Sequence, residues 1–240
     1  MENKIDLQKA KSRAWAKGLV LLIFLGALAA FFVLGGGQWL SLEALKENRD
    51  TLLSYSQNHY VLMLFAAFVV YTVSTALSLP GGAVLSLALG FMFGRWAGTG
   101  VIVIAATTGA TLVFLAARYL FAEAARKRMG EGVAAKIIAG FHDNAFNYLL
   151  FLRLVPLFPF WLVNLAPAFT NISLRTYVMA TFVGILPGSF VFANLGQSLG
   201  RIESMDQLLS GEILLAFMLL GGFALAPVLI RKWRGAKVLN

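Results

Sequence analysis

The sequence predicts an all-α, polytopic integral membrane protein with about five to six transmembrane helices and two opposed re-entrant hairpins arranged as an inverted repeat. Three observations carry that expectation. Hydrophobic residues make up 59% of the chain and charged residues only 13%, which is far from the balance of a soluble domain. Apolar runs of bilayer length recur along it. Two of these runs are broken by proline: one at Pro80-Gly81-Gly82, the other within Leu150 to Phe169, where Pro156, Pro159 and Pro167 lack a backbone N–H and Arg153 sets a charge among aromatics. Non-helical backbone at membrane depth survives only where it is buried in protein or lines a wet cavity, because unsatisfied peptide groups in hydrocarbon are costly.

In chain order, residues 1–58 form a cytoplasmic tail, a first span and an interfacial helix. Lys4, Lys9, Lys11, Arg13 and Lys17 precede an apolar run from Gly18 to Leu34, which keeps the tail in the cytoplasm by the positive-inside rule. That run is too long for a cleavable signal peptide. Ser41 to Asn58 mixes Leu42, Leu45, Leu52 and Leu53 with Glu43, Lys46, Glu47, Arg49 and Asp50, the pattern of an amphipathic helix lying on the membrane.

Residues 59–200 form the core, with re-entrant hairpins near 80–95 and 145–169. A span from Tyr60 to Leu79 meets the first proline break. Ala83 to Phe93 is then too short to cross alone. Gly90, Gly94 and Gly98, followed by Ala105 and Gly109, place small residues four apart, where helix backbones pack closely in lipid. Ala122 to Phe141, rich in basic residues, reads as a surface helix joining two halves. After the second break come a polar turn at Thr170 to Arg175 and a span from Tyr177 to Leu199 interrupted by Pro187-Gly188. Residues 201–240 hold a last span, Ile213 to Ile230, and a basic tail with Arg231, Lys232, Arg234 and Lys237.

Laying Pro80 over Pro156 puts Gly90 over Ala166 and Phe93 over Phe169. Each half thus reads as proline break, short segment, polar turn and long span, and paired interrupted segments point to a transport site at a repeat interface. Five spans with two re-entrant segments would leave the termini on opposite sides, whereas the charges favour the cytoplasm for both. A full crossing by the second broken segment would reconcile the two, as would a misleading charge signal at one end.

The chemistry available is narrow. With no cysteine there is no disulfide, thiolate nucleophile or zinc-thiolate site. No acidic residue occurs between Asp50 and Glu123 or between Asp143 and Glu203, so the embedded chain has no carboxylate dyad, base or metal ligand. His59 and His142 lie at span edges and form no HExxH spacing, and neither GxSxG nor a P-loop is present. Enzymatic catalysis, cofactors and a metal are therefore not expected. The formal charge of +9 suits anionic lipid headgroups, and no soluble basic module suggests nucleic acid.

Arg153 is the main candidate for binding. Its guanidinium would receive a lipid phosphate in a polar cleft; alternatively it snorkels or caps carbonyls at the helix break. The proposed substrate-binding set is Arg153, Pro80, Gly81, Gly82, Pro156, Pro159 and Asn164, with Asn164 and Asn194 also suited to bond the free carbonyls of broken helices. Arg118 and Arg175 fall at span ends, where snorkelling is expected. Phe158, Phe160 and Trp161 are expected to pack or anchor at the interface.

Four segments, LPGGAVLSLALGFMFGRWAG (79 to 98), TGATLVFLAARYL (108 to 120), FLRLVPLFPFWLVNL (151 to 165) and GILPGSFVFANLG (184 to 196), resemble the bacterial branch of the DedA superfamily, which shares the VTT domain of the SNARE-associated Golgi protein family. The resemblance covers roughly Leu62 to Gly200. It implies a core of two opposed re-entrant hairpins in a multi-pass protein of the bacterial inner membrane, and a link to moving phospholipids or polyprenyl phosphates between leaflets. By motif position Arg153 corresponds to the family's arginine in the second hairpin, and Pro80, Gly81 and Gly82 to its first-hairpin turn. The chain lacks the acidic residues that better studied DedA transporters carry ahead of the first hairpin, and Pro159-Phe160-Trp161 stands where they have a second arginine. Downhill lipid exchange as a scramblase, or flippase-like movement, therefore fits better than proton-driven pumping. Other classes are a secondary transporter of a small anion or metal species, and a membrane scaffold or assembly factor whose glycine-rich faces also suit homo-oligomers.

Overall fold

The structure is a computed structural model that describes residues 2–39, 41–128, 141–155 and 157–198. The last span and its basic tail, most of the joining surface helix and Pro156 lie outside the described residues. Among the described residues every regular element is helical.

The first helix, α1 (Glu2–Val33), runs to the glycine turn at Gly35, whose φ of 71° suits a residue without a side chain. A short turn of helix, α2 (Gly36–Trp39), follows. The predicted amphipathic segment forms two helices, α3 (Leu42–Glu47) and α4 (Arg49–Asn58). Ser41 starts the first by accepting the Ala44 N–H at 3.0 Å, a serine cap for an otherwise unpaired donor. At His59 the chain bends by 119° into α5 (Tyr60–Ala76).

Helix α5 ends in a Schellman motif: Leu79 N–H bonds the Ser74 carbonyl and Ser78 N–H bonds the Thr75 carbonyl, both at 2.9 Å. Pro80 then forbids continuation. The next element, α6 (Gly82–Arg128), is interrupted at Gly94, where φ is 75° and ψ 170°. An unbroken helix would hold Gly90 and Gly98 about 12 Å apart along its axis. Instead a Cβ built on Gly98 would stand 3.1 Å from the Gly90 Cα. The chain therefore doubles back at Gly94, giving a short arm (residues 82–93) and a long arm (residues 95–128). Gly94 was expected to be one of a series of packing residues; its role is to permit this reversal.

Helix α7 (Phe141–Leu154) is interrupted at Asn144, whose side chain accepts the Asn147 N–H at 3.3 Å. The chain breaks before Pro159, continues as α8 (Phe160–Leu165) and a 3₁₀ turn (Ala166–Phe169), and enters α9 (Leu174–Gln197) through the Ser173 cap, which accepts the Thr176 N–H at 3.0 Å. Helix α9 was expected to be interrupted at Pro187-Gly188. It runs through Pro187, which removes one backbone bond without ending the helix, as happens where neighbours pack around membrane helices.

Helix α9 organises the core. Its broadest packing is against α6, and it also packs on α7. Backbones meet directly where glycines allow it: a Cβ on Gly90 would strike the Ala193 backbone, and one on Gly196 the Leu87 carbonyl. One buried cluster surrounds the second break, with Phe114, Leu149, Val163 and Tyr177. A second joins the two arms of α6 to α5 and α9, with Leu89, Phe93, Ile102 and Ala193. By length and composition Gly82–Leu120 and Leu174–Gln197 are apolar enough to cross a membrane, and Asp50–Asn58 with Tyr60–Ala76 makes a third candidate if that bent pair is one span.

Candidate functional site

The two breaks lead to two polar centres on neighbouring stretches of α9. The first is a cage around Arg153, in the last turn of α7. Its Nη1 donates to Asn164 Oδ1 at 2.7 Å, and its Nη2 donates to Tyr177 Oη at 3.0 Å and Thr181 Oγ1 at 3.2 Å. Gly184 makes this approach possible, because a Cβ there would lie 2.6 Å from the Arg153 Cβ. Asn164, Tyr177 and Thr181 are fully buried.

Arg153 neither snorkels nor caps a helix break; neutral side-chain oxygens hold it. Asn164 likewise bonds the guanidinium and not a free carbonyl, and since arginine has no acceptor the amide oxygen must be the atom that faces it. Two donors in this cage remain buried and without partners, Arg153 Nε and Asn164 Nδ2. Such donors cost free energy unless an acceptor arrives.

Around the cage runs a stacked series. The Arg153 guanidinium lies 5.7 Å from the Tyr177 ring, Tyr177 stacks on Phe114 at 4.1 Å, and Arg118 sits 4.3 Å above the other side of that pair, on Phe114. Arg118 was expected to snorkel. It turns inward and donates to the carbonyls of Thr170 and Ile172, both at 2.9 Å, closing the turn after the 3₁₀ segment. Arg175 is exposed.

The second centre is a cavity of about 330 Å³ at the first break. Pro80, Gly81 and Gly82 line one side and Ile185, Ser189 and Phe192 of α9 another, while Phe160 reaches it from the second break. Pro80 and Phe160 are exposed, so the cavity opens past them. The first-break residues and Arg153 thus occupy different centres, since Arg153 is not in the cavity lining. Pro159 is exposed at the start of α8. Phe158 packs on Phe151 at 5.9 Å, and Trp161 is exposed. Sequence reasoning missed Tyr177, Thr181, Ser74, Thr75 and Ser189. Hydroxyls at i and i+4 in apolar spans were the available signal.

Comparison with known proteins finds relatives named as transmembrane proteins. The chain is 29% identical over 185 residues to the Transmembrane protein 41 homolog of Dictyostelium discoideum, covering 76% of this chain and 55% of that one. It therefore spans about half the length of the Dictyostelium relative. Identity is 26% over 197 residues to the Transmembrane protein 41 homolog of Caenorhabditis elegans, covering 80% and 79% of the two chains. With Transmembrane protein 41B of Gallus gallus it is 24% over 246 residues, covering 97% and 91%. No solved structure matches the chain. The VTT domain model matches residues 79–198, from the first proline break through α9 and so across the Arg153 cage and the cavity lining from Leu79 onward, and this membrane protein belongs to the VTT domain family.

Proposed function

We propose that this protein moves lipids with phosphate-bearing headgroups, phospholipids or polyprenyl phosphates, between leaflets without enzymatic chemistry. The observation that carries the reading is the pair of buried, unpartnered donors, Arg153 Nε and Asn164 Nδ2, beside a break in an apolar fold. A phosphate oxygen is the kind of acceptor that guanidinium and amide donors lack there. In this reading the short arm of α6 and the α8 segment are re-entrant, entering from opposite faces as an inverted repeat, and the proline breaks thin the barrier while supplying backbone dipoles. The missing embedded carboxylates favour downhill exchange.

The test is reconstitution of the full chain in liposomes with fluorescent phospholipid, quenched from outside by dithionite. Wild type is expected to expose inner-leaflet lipid to the quencher, and Arg153→Ala to slow that exposure while keeping the thermal unfolding transition. Equal rates for the two proteins would remove Arg153 from the reading; no exposure with wild type would remove the reading itself.

A further inference from the structure

The cavity at the first break has a chemistry of its own. Ser74 and Thr75 reach it from α5 and Ser189 from α9, with residue exposures of 6%, 4% and 7%. Among the described residues none of these three hydroxyls has a hydrogen-bond partner in the protein, whereas neighbouring hydroxyls do. Tyr71 lies 3.0 Å from the Ser86 hydroxyl, which donates to the Gly82 carbonyl at 2.8 Å. The cavity therefore presents three nearly buried groups, each able both to donate and to accept, and each unpaired.

The lining holds no lysine, arginine, aspartate or glutamate, and its remaining walls are apolar or aromatic, with Leu79, Ile185, Phe160 and Phe192. A charged group would find no counter-ion there. A quaternary ammonium, having no hydrogen-bonding atom, would cover the hydroxyls and leave them dry, an arrangement that costs binding. An uncharged group with several hydroxyls would pair with all three and lay its C–H faces on the aromatic rings. At about 330 Å³ the space suits one such moiety and not a whole lipid.

From this we infer that the cavity is a subsite for an uncharged, hydroxyl-bearing headgroup moiety, so that among phosphate lipids the protein favours those carrying a polyol. This rests on the translocation reading and deepens it. The phosphate stays outside the cavity, toward Arg153, whose partner Thr181 precedes the lining residue Ile185 by one turn, about 6 Å, on α9.

The test compares lipids of equal charge whose headgroups carry or lack free hydroxyls. Full-length protein in liposomes is given tail-labelled phosphatidylglycerol, phosphatidylinositol or phosphatidylethanol, and dithionite quenching reports each rate. The polyol lipids are expected to move about tenfold faster than phosphatidylethanol, the discrimination that two unmet hydrogen bonds provide. The S74A/S189A double variant is expected to bring the ratio toward one. Equal rates in wild type would overturn the polyol subsite and leave translocation standing. If no lipid moves, translocation fails, and a second measurement still decides the subsite: thermal unfolding of the solubilised full chain with short-chain forms of the same lipids. Greater stabilisation by the polyol forms supports it, and equal stabilisation overturns it.

Discussion

Tyr177 joins the two halves of the protein through its single hydroxyl: Oη accepts from Arg153 Nη2 at 3.0 Å and donates to the Ala110 carbonyl of the long α6 arm at 3.0 Å. The charged donor is thereby fixed to a helix of the first half. Tyr177→Phe keeps the ring on Phe114 and removes only the hydroxyl. Loss of a hydrogen bond to a buried charged group costs about 1.5–3 kcal/mol. The variant is expected to lower the thermal unfolding midpoint of the solubilised protein and, on the translocation reading, to slow lipid exposure. An unchanged midpoint would show that the phenol does not brace the cage.

Arg118 offers a different case, because its acceptors are backbone carbonyls. The guanidinium closes the turn formed by Thr170 and Ile172 and lies over Phe114. Arg118→Met keeps the apolar stem and discards the donors. A destabilisation of about 2 to 3 kcal/mol is expected, since the carbonyls lose charged donors in a partly buried setting. Arg118→Lys should recover only part of it, as an ammonium cannot reproduce the planar fork. Denaturant or thermal unfolding of the three proteins checks the order, and a fully stable Met variant would contradict it.

These two residues also show which parts of the fold are legible in one dimension. Pro80-Gly81-Gly82 marks a break from local chemistry alone, because proline lacks a donor and fixes φ wherever it stands. Arg153 stands out because a charge in an apolar run is costly. Its holders do not stand out. Tyr177 and Thr181 are 24 and 28 residues away, and ordinary hydroxyl residues are common in membrane helices. Arg118 looked like a span-end cation because its acceptors lie more than 50 residues onward. Gly94 sat in a run of evenly spaced small residues, and spacing does not distinguish a packing glycine from one that turns the chain. Local breaks are written in residue type, whereas the partners of a polar group are decided by tertiary packing.

Two glycines of α6, one on each arm, give a test with two signs. At Gly90 any Cβ would meet backbone of Ala193, which has no flexible end to move aside. Gly90→Ala is expected to destabilise by about 1–3 kcal/mol, as other overpacked contacts do. Gly100, on the long arm, has nothing within 4 Å of a built Cβ. There the same substitution only adds helix propensity, and a gain of about 0.5–1 kcal/mol is expected. Thermal unfolding should therefore move in opposite directions for the two variants, and a common direction would show that the close approach at Gly90 does not decide its effect.

Ser78 occupies the left-handed position of the Schellman motif that ends α5, with φ at 52°, where glycine is the usual residue. A side chain there carries backbone strain on the order of 1 kcal/mol. The hydroxyl does not offset it, since Ser78 Oγ is buried without a partner. Ser78→Gly removes both costs, against a smaller loss from the greater freedom of glycine in the unfolded chain. The expected net effect is a stabilisation of about 1 kcal/mol, read as a higher unfolding midpoint for the solubilised protein. A lower midpoint would mean that the Ser78 hydroxyl is paired in the protein in solution, most simply by a water at the mouth of the first break.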